Sequence, residues 1–225
     1  LIPDAWTPIE AAATAEVFLT AYQALFSIGQ LQAGQHVLVH AGASGVGTAA
    51  IQLAKQVGAN IAVTVGTDEK AAFCRALGAD HAINYRSTDF VSALKTAYPT
   101  GFDVIIDPVA GPYLNKDCQL LAQDGRIIVL AMMGGREVPS FDLAPLFKKR
   151  GQLICSTLRN RSDSYKTALC QAFSAQFGQA LQQQRIKPVI AEVFDWQDAT
   201  QAHALLANNQ VAGKIVLTIG SCLES

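Results

Sequence analysis

Apolar residues along this chain follow two alternating spacings. Short runs of four to six read as strands, and longer stretches repeat near 3.6 residues, as the buried stripe of a helix does. The first run, His36-Val37-Leu38-Val39-His40, is followed by Ala41-Gly42-Ala43-Ser44-Gly45-Val46-Gly47 and then by a helical pattern from Thr48 to Val57. Further along come a strand at Ile61–Val65, a helix over 68–77 stopped by Gly78, a strand at His81–Asn84, a helix from Thr88 to about Tyr98 and a strand at Val104–Asp107. A helix after Gly111 is expected to reach Gln123, with strands at Arg126–Leu130 and Leu153–Leu158. Upstream, Thr7-Pro8-Ile9-Glu10 combines a capping threonine, a proline at the first helical position and a glutamate three residues on. That predicts a helix running to Ile28 and ended by Gly29. Several strands are apolar throughout, as strands covered on both faces are. The pattern predicts an α/β fold, a doubly wound parallel sheet of six strands with its ligand at their carboxyl ends.

The tail departs from this rhythm. After a long helix from Ser162 to Gln184, a strand-like run from Pro188 to Phe194, a helix over Gln197–Asn208 and the apolar Lys214–Ile219 fit no further step of the same sheet. The division expected is 1–185 for the main domain and 186–225 for a piece of a second one.

Composition narrows the classes. The chain has 225 residues, half of them apolar, and a formal net charge of −1, which argues against nucleic-acid and anionic-membrane partners. No twenty-residue apolar run or signal sequence stands out, so a soluble cytoplasmic protein is expected. The cysteines Cys74, Cys118, Cys155, Cys170 and Cys222 form no CxxC pair and read as reduced thiols. The histidines His36, His40, His81 and His203 lack metal-ligand spacing, so no zinc site is expected.

The glycine-rich turn carries the most chemistry. Gly42, Ser44 and Gly47 occupy the three places of G-x-G-x-x-G, with Ser44 at the middle glycine and Gly45 beside it. A strand entering a helix through such a turn aims free amides and a positive dipole end at a pyrophosphate. At the tip of the second strand, where an NAD-binding domain keeps an acid for the ribose hydroxyl, the chain has Gly66-Thr67 and then Asp68, Glu69 and Lys70. Glycine leaves room for a 2′-phosphate and lysine offers it a partner, so NADPH is favoured over NADH. Thr67 also reads as a helix cap, with Lys70 merely solvated.

HAGASGVGTAAIQLAK, VGTDEK, INYR, AMMGG and the closing GKIVL together resemble the zinc-free quinone oxidoreductases of the medium-chain dehydrogenase/reductase superfamily, zeta-crystallin-like and p53-inducible members among them. The resemblance implies a Rossmann domain and NADPH-dependent hydride transfer to a quinone or an activated carbonyl or alkene. By motif, Ser44, Gly45 and Val46 would meet the pyrophosphate, and Gly66, Thr67, Lys70 and Tyr85 the 2′-phosphate side. Thr20, Val109, Met132, Thr157 and Leu158 would lie toward the nicotinamide. Core packing is an equal reading for Thr20 and Val109, packing for Met132 and Met133, and an ordinary surface position for Tyr85. The family also begins with a catalytic domain upstream of the point where this sequence starts, and residues 186–225 resemble the segment that completes it. A homodimer through the strand at 152–158 is implied as well. Asp107, His40, Tyr22, Tyr113 and Tyr165 are further candidates for proton chemistry. Asp107 reads better as a turn cap before Pro108 and His40 as a satisfied histidine at a strand end, so no catalytic acid or base is assigned. Two other functions stay open: an enoyl reductase acting on acyl thioesters, and a non-catalytic NADPH-binding module.

Overall fold

The computed structural model describes residue 2, residues 6–138 and residues 140–220. Cys222 lies outside them. Six parallel strands, β1 (His36–His40), β2 (Asn60–Val65), β3 (His81–Asn84), β4 (Phe102–Asp107), β5 (Leu121–Val129) and β6 (Gln152–Cys155), form one sheet in the order β3-β2-β1-β4-β5-β6. The order reverses at β1, which is the switch point where such sheets open a crevice.

The alternation of side chains explains the apolar runs. Val37 and Val39, Ile61 and Val63, and Val104 and Ile106 face a layer made by α1 (Pro8–Tyr22), α2 (Gly45–Gln56), α3 (Asp68–Leu77) and α7 (Asp163–Gln182). Leu38, Ala62, Ile105 and Ile127 face the other layer, of α4 (Phe90–Ala97), α5 (Leu114–Leu120) and α6 (Ala144–Lys148). With both faces covered, a polar face is not needed.

Local signals act as expected at α1, where the Thr7 side chain accepts from the Glu10 amide and Glu10 answers on the Thr7 amide. The segment reaches Ile28, but residues Gln23–Ile28 are π-helical. Taken together, Pro8–Ile28 is long and apolar enough, with a mean hydropathy of 1.2, to pass as a membrane span, contrary to the expectation of no such run. Its buried Val17, Phe18, Ala21 and Tyr22 instead pack in the core layer, beside Phe173 and Phe177 of α7. That apolar window is 44% buried against the rest of the chain.

Several boundaries differ from expectation, α2 among them, which starts at Gly45 rather than Thr48. α4, expected from Thr88, starts at Phe90, where Asp89 caps it by accepting from the amides of Val91 and Ser92. α5 stops at Leu120 because Leu121 already pairs with Phe102, which lengthens β5 at the helix's expense. β6 ends at Cys155, although the Ser156 amide still donates to the Val129 carbonyl at 2.9 Å; the buried Ser156 hydroxyl donates to Gln23 Oε1. The short helix α6 carries no strong sequence signal. In the tail, β7 (Ile190–Asp195), α8 (Ala199–Ala207) and β8 (Lys214–Thr218) form a separate two-stranded parallel unit, so β8 has its own partner.

Candidate cofactor-binding site

A cleft of about 680 Å³ opens at the carboxyl ends of β1, β2 and β4, roofed by the segment from α8 to β8. Its floor is the glycine turn. A Cβ on Gly42 would lie 2.5 Å from Val63 Cβ, and one on Gly47 2.5 Å from the carbonyl oxygens of both Ala41 and Gly42. These two glycines permit the close helix–sheet approach that brings the start of α2 to the cleft. The middle position needs no glycine: Ser44 has φ −71°, ψ 168°, and its hydroxyl caps α2 by accepting from the Gly47 amide at 3.0 Å. Gly45 and Val46 open the helix at its positive end.

The tip of β2 is cationic. A Cβ at Gly66 would sit 3.0 Å from the Tyr85 hydroxyl and 3.7 Å from Arg86 Nε, so a phenol and a guanidinium flank the space an acid would occupy. Lys70, one turn on, donates from Nζ to the Asn209 carbonyl oxygen at 2.7 Å and to Asn209 Oδ1 at 2.9 Å. Partial burial, and then the neighbouring Arg86 charge, lower its pKa. Burial and the like charge of Arg86 both disfavour the charged form of the lysine, and an anion placed between the two cations would offset that cost.

Beneath the cleft lies a polar cluster. His40 is buried, with Nδ1 2.8 Å from Thr64 Oγ1 and Nε2 2.8 Å from Asp117 Oδ1. The Tyr113 ring meets the imidazole edge-on at 4.9 Å, and burial pushes its phenol up to about 12. Burial also raises the Asp117 carboxyl to about 6, against the pull of His40 and with a further push from Asp107. Its Oδ2 has no hydrogen-bond partner among the described residues. Asp107 accepts from the amides of Val109 and Ala110 and so shapes the turn after β4, as a turn cap does.

The roof docks through backbone. Ser44 and Gly213 form a parallel bridge, and the Gly213 amide donates to the Ala43 carbonyl at 2.8 Å. The Lys214 stem lies over Gly45, and its Nζ is 3.7 Å from Glu16 Oε2. Glu16 also accepts from the Thr20 hydroxyl at 3.2 Å.

Of the residues singled out by sequence, Thr20, Ser44, Gly45, Val46, Gly66, Lys70, Tyr85 and Val109 line the cleft, as do His40 and Tyr113. Thr67 does not; it caps α3 by accepting from the Lys70 amide. Met132 is 61% exposed and outside the lining, where Met133 stands instead. Thr157 and Leu158 are also outside it, since β6 has already ended: the Thr157 hydroxyl donates to Asn160 Oδ1 and Leu158 packs against the core. Tyr22 and Tyr165 belong to the core layer, Tyr165 accepting from Gln23 Nε2 at 3.0 Å. Sequence reasoning missed Arg86, Asp117, Asn209 and Lys214. Arg86 and Lys214 stand inside the INYR and GKIVL motifs, whereas no local signal marks Asp117 or Asn209. Among the described residues no three His, Cys, Asp or Glu side chains converge as metal ligands.

Comparison with known proteins agrees with this geometry. The family described as zinc-binding dehydrogenase matches residues 45–174. Human quinone oxidoreductase is 30% identical over 205 residues, covering 90% of this chain and 60% of that protein. A phenolphthiocerol/phthiocerol polyketide synthase of Mycobacterium tuberculosis is 32% identical over 222 residues, covering 97% of this chain and 10% of that protein. A mycobacterial protein solved as a complex with NADPH superposes with a TM-score of 0.84 at 27% identity, over 96% of this chain and 66% of that one. The chain thus spans only part of the relatives it matches. With its sheet order, its glycine turn and this family match in agreement, the chain belongs to the zinc-binding dehydrogenase family, in the quinone oxidoreductase-like branch of the medium-chain dehydrogenases/reductases.

Proposed function

We propose that this chain is the cofactor-binding part of an NADPH-dependent oxidoreductase that reduces a quinone or another activated carbonyl or alkene. The observation that carries the reading is the tip of β2: Gly66 stands where an acid would, Tyr85 and Arg86 lie beside it, and Lys70 follows one helical turn on at the edge of the same cleft. The related structure described as an NADPH complex supports the same choice.

The residues fit a dinucleotide. Gly42 and Gly47 bring α2 to the cleft, Ser44, Gly45 and Val46 present its N-terminus to a pyrophosphate, and Lys214 adds a cation above Gly45. Lys70 at the cleft edge and Arg86 beside Gly66 serve a 2′-phosphate, while Thr20 and Val109 line the remainder of the cleft. The bound cofactor supplies the hydride; the chain's own part is to hold and orient it and to exclude water. Residues 1–185 form the dinucleotide-binding domain on this reading, and 186–225 contribute to a catalytic domain.

Lys70→Ala should weaken NADPH binding by about 1.5–3 kcal/mol, the scale of a hydrogen bond to a charged group, and leave NADH nearly unchanged. Equal losses for both cofactors, read by fluorescence titration, would refute the assignment. A second reading, reduction of an enoyl thioester, is favoured by the polyketide synthase relative. Turnover of a crotonyl thioester against a quinone by the full-length protein separates the two.

The sheet ends at β6, whose Leu153 is 38% exposed. An open apolar edge of this kind supports a homodimer through residues 152–158. Light scattering that gives a monomer at every concentration up to tens of micromolar would exclude it.

A further inference from the structure

Lys70 joins two parts of the molecule that lie 139 residues apart in sequence. Its ammonium donates to two oxygens of one residue, the carbonyl and the Oδ1 of Asn209. Asn209 follows α8 with a left-handed φ of 53°, and its own amide is held by the Leu206 carbonyl at 3.0 Å. The Asn209 backbone is thereby held at the edge of the cleft, which Asn209 lines together with Lys70, Tyr85 and Gly66, and its two oxygens both receive the Lys70 ammonium. An unrestrained lysine spreads over many rotamers. Here a second cation, Arg86, acts against the ammonium from the same strand tip. Neutral oxygens hold it without cancelling its charge, and an ammonium has three N–H donors, so one remains for an incoming anion.

We propose that Asn209 is a positioning residue for cofactor selection: from the C-terminal unit it holds the Lys70 ammonium at the tip of β2, so that both parts of the chain distinguish a 2′-phosphate from a ribose hydroxyl. This rests on the NADPH reading above. It adds that the selecting group is assembled across the cleft rather than within the dinucleotide-binding domain.

The test is Asn209→Gly, which tolerates the left-handed backbone, keeps the main-chain carbonyl and deletes Oδ1. We expect the NADPH Kd to rise three- to tenfold and the NADH Kd to stay within a factor of two. In a Lys70→Ala background the same substitution should change neither. Asn209→Asp, which puts a carboxylate on the ammonium, should raise the NADPH Kd more than tenfold. A readout without cofactor is the 15N signal of the Lys70 side chain, which should be shielded from exchange in the wild type and merge with the solvent-exposed lysines in Asn209→Gly. Tighter NADPH binding by Asn209→Gly would show that Asn209 competes with the phosphate and overturn the proposal. Equal losses for both cofactors, or an unchanged Lys70 signal, would do so as well. If the Lys70 signal responds but the wild type does not prefer NADPH, the cofactor reading itself fails and the selection role falls with it.

Discussion

The six-stranded sheet and the β7-α8-β8 unit use the same device, parallel strands joined through a helix, yet they bury themselves to opposite degrees. β1 is buried from Val37 to His40 and β2 from Ile61 to Val65, because helices cover both faces. Along β7 no residue is fully buried, β8 buries only Val216 and α8 only Ala202. Trp196, Leu206 and Leu217 stay 40–52% exposed. Apolar cover therefore stabilises the first region from within, whereas the second joins it through Ala212 on the core and a few polar contacts: Gly213 on Ala43, Lys70 on Asn209 and Lys214 beside Glu16. Regions with few buried contacts open at lower free energy. The cleft is bounded by one region of each kind, a rigid floor and a lightly held roof.

Two glycine substitutions set this contrast at its sharpest. Gly47→Ala would put a methyl 2.5 Å from two backbone oxygens of the glycine turn, where no flexible side chain can give way. We expect a loss of about 2–3 kcal/mol in global stability, the range for overpacking a close contact, together with loss of cofactor binding. Gly213→Ala would put a methyl 2.3 Å from the Val189 carbonyl oxygen at a φ of +93°. Its expected effect is local: amides of β7 and β8 lose protection from hydrogen exchange while those of β1, β2 and β4 keep theirs. If Gly213→Ala lowered the main urea transition as far as Gly47→Ala does, the two regions would be a single cooperative unit and the contrast would be wrong.

The same contrast explains what was legible in the sequence. In the sheet, cover on both faces leaves a continuous apolar run, and turns and caps leave local signatures, so Thr7, Gly42, Gly47, Thr67 and Gly78 could be read where they act. The site was legible as far as it is local, in Ser44–Val46 at the start of α2 and in Gly66 and Lys70 one helical turn apart. What was hidden depends on residues meeting from afar. Asp117 reaches His40 across 77 positions and Asn209 reaches Lys70 across 139, and nothing in either neighbourhood marks the partner. The strand is expected to run on to Leu158, whereas β6 ends at Cys155 and the buried Ser156 hydroxyl meets Gln23, a partner 133 positions away that no local signal marks.

The last prediction concerns the polar cluster that only the well-covered region contains. Asp117 is fully buried, with Oδ1 toward His40 and Oδ2 unpartnered among the described residues, and its carboxyl is pushed up to about 6 by burial. A carboxyl that holds its proton more tightly in the folded than in the unfolded chain penalises folding at pH values where the unfolded group ionises. Between about pH 4, the ordinary aspartate value, and pH 6 the folded state binds more protons, so this group's contribution to stability falls as pH rises and stays low above pH 6. An asparagine in place of the acid keeps an oxygen toward His40 Nε2 and removes the ionisation. Asp117→Asn should therefore match the wild type near pH 4 and exceed it at pH 7–8, by on the order of 2 kcal/mol. Urea unfolding at both pH values reads the difference, and hydrogen exchange should place the gain in the amides of β1, β2 and β4, with β7 and β8 unmoved. A pH-independent difference between the two proteins, or a gain shared equally by the C-terminal unit, would show that the buried acid does not set the pH response of the sheet.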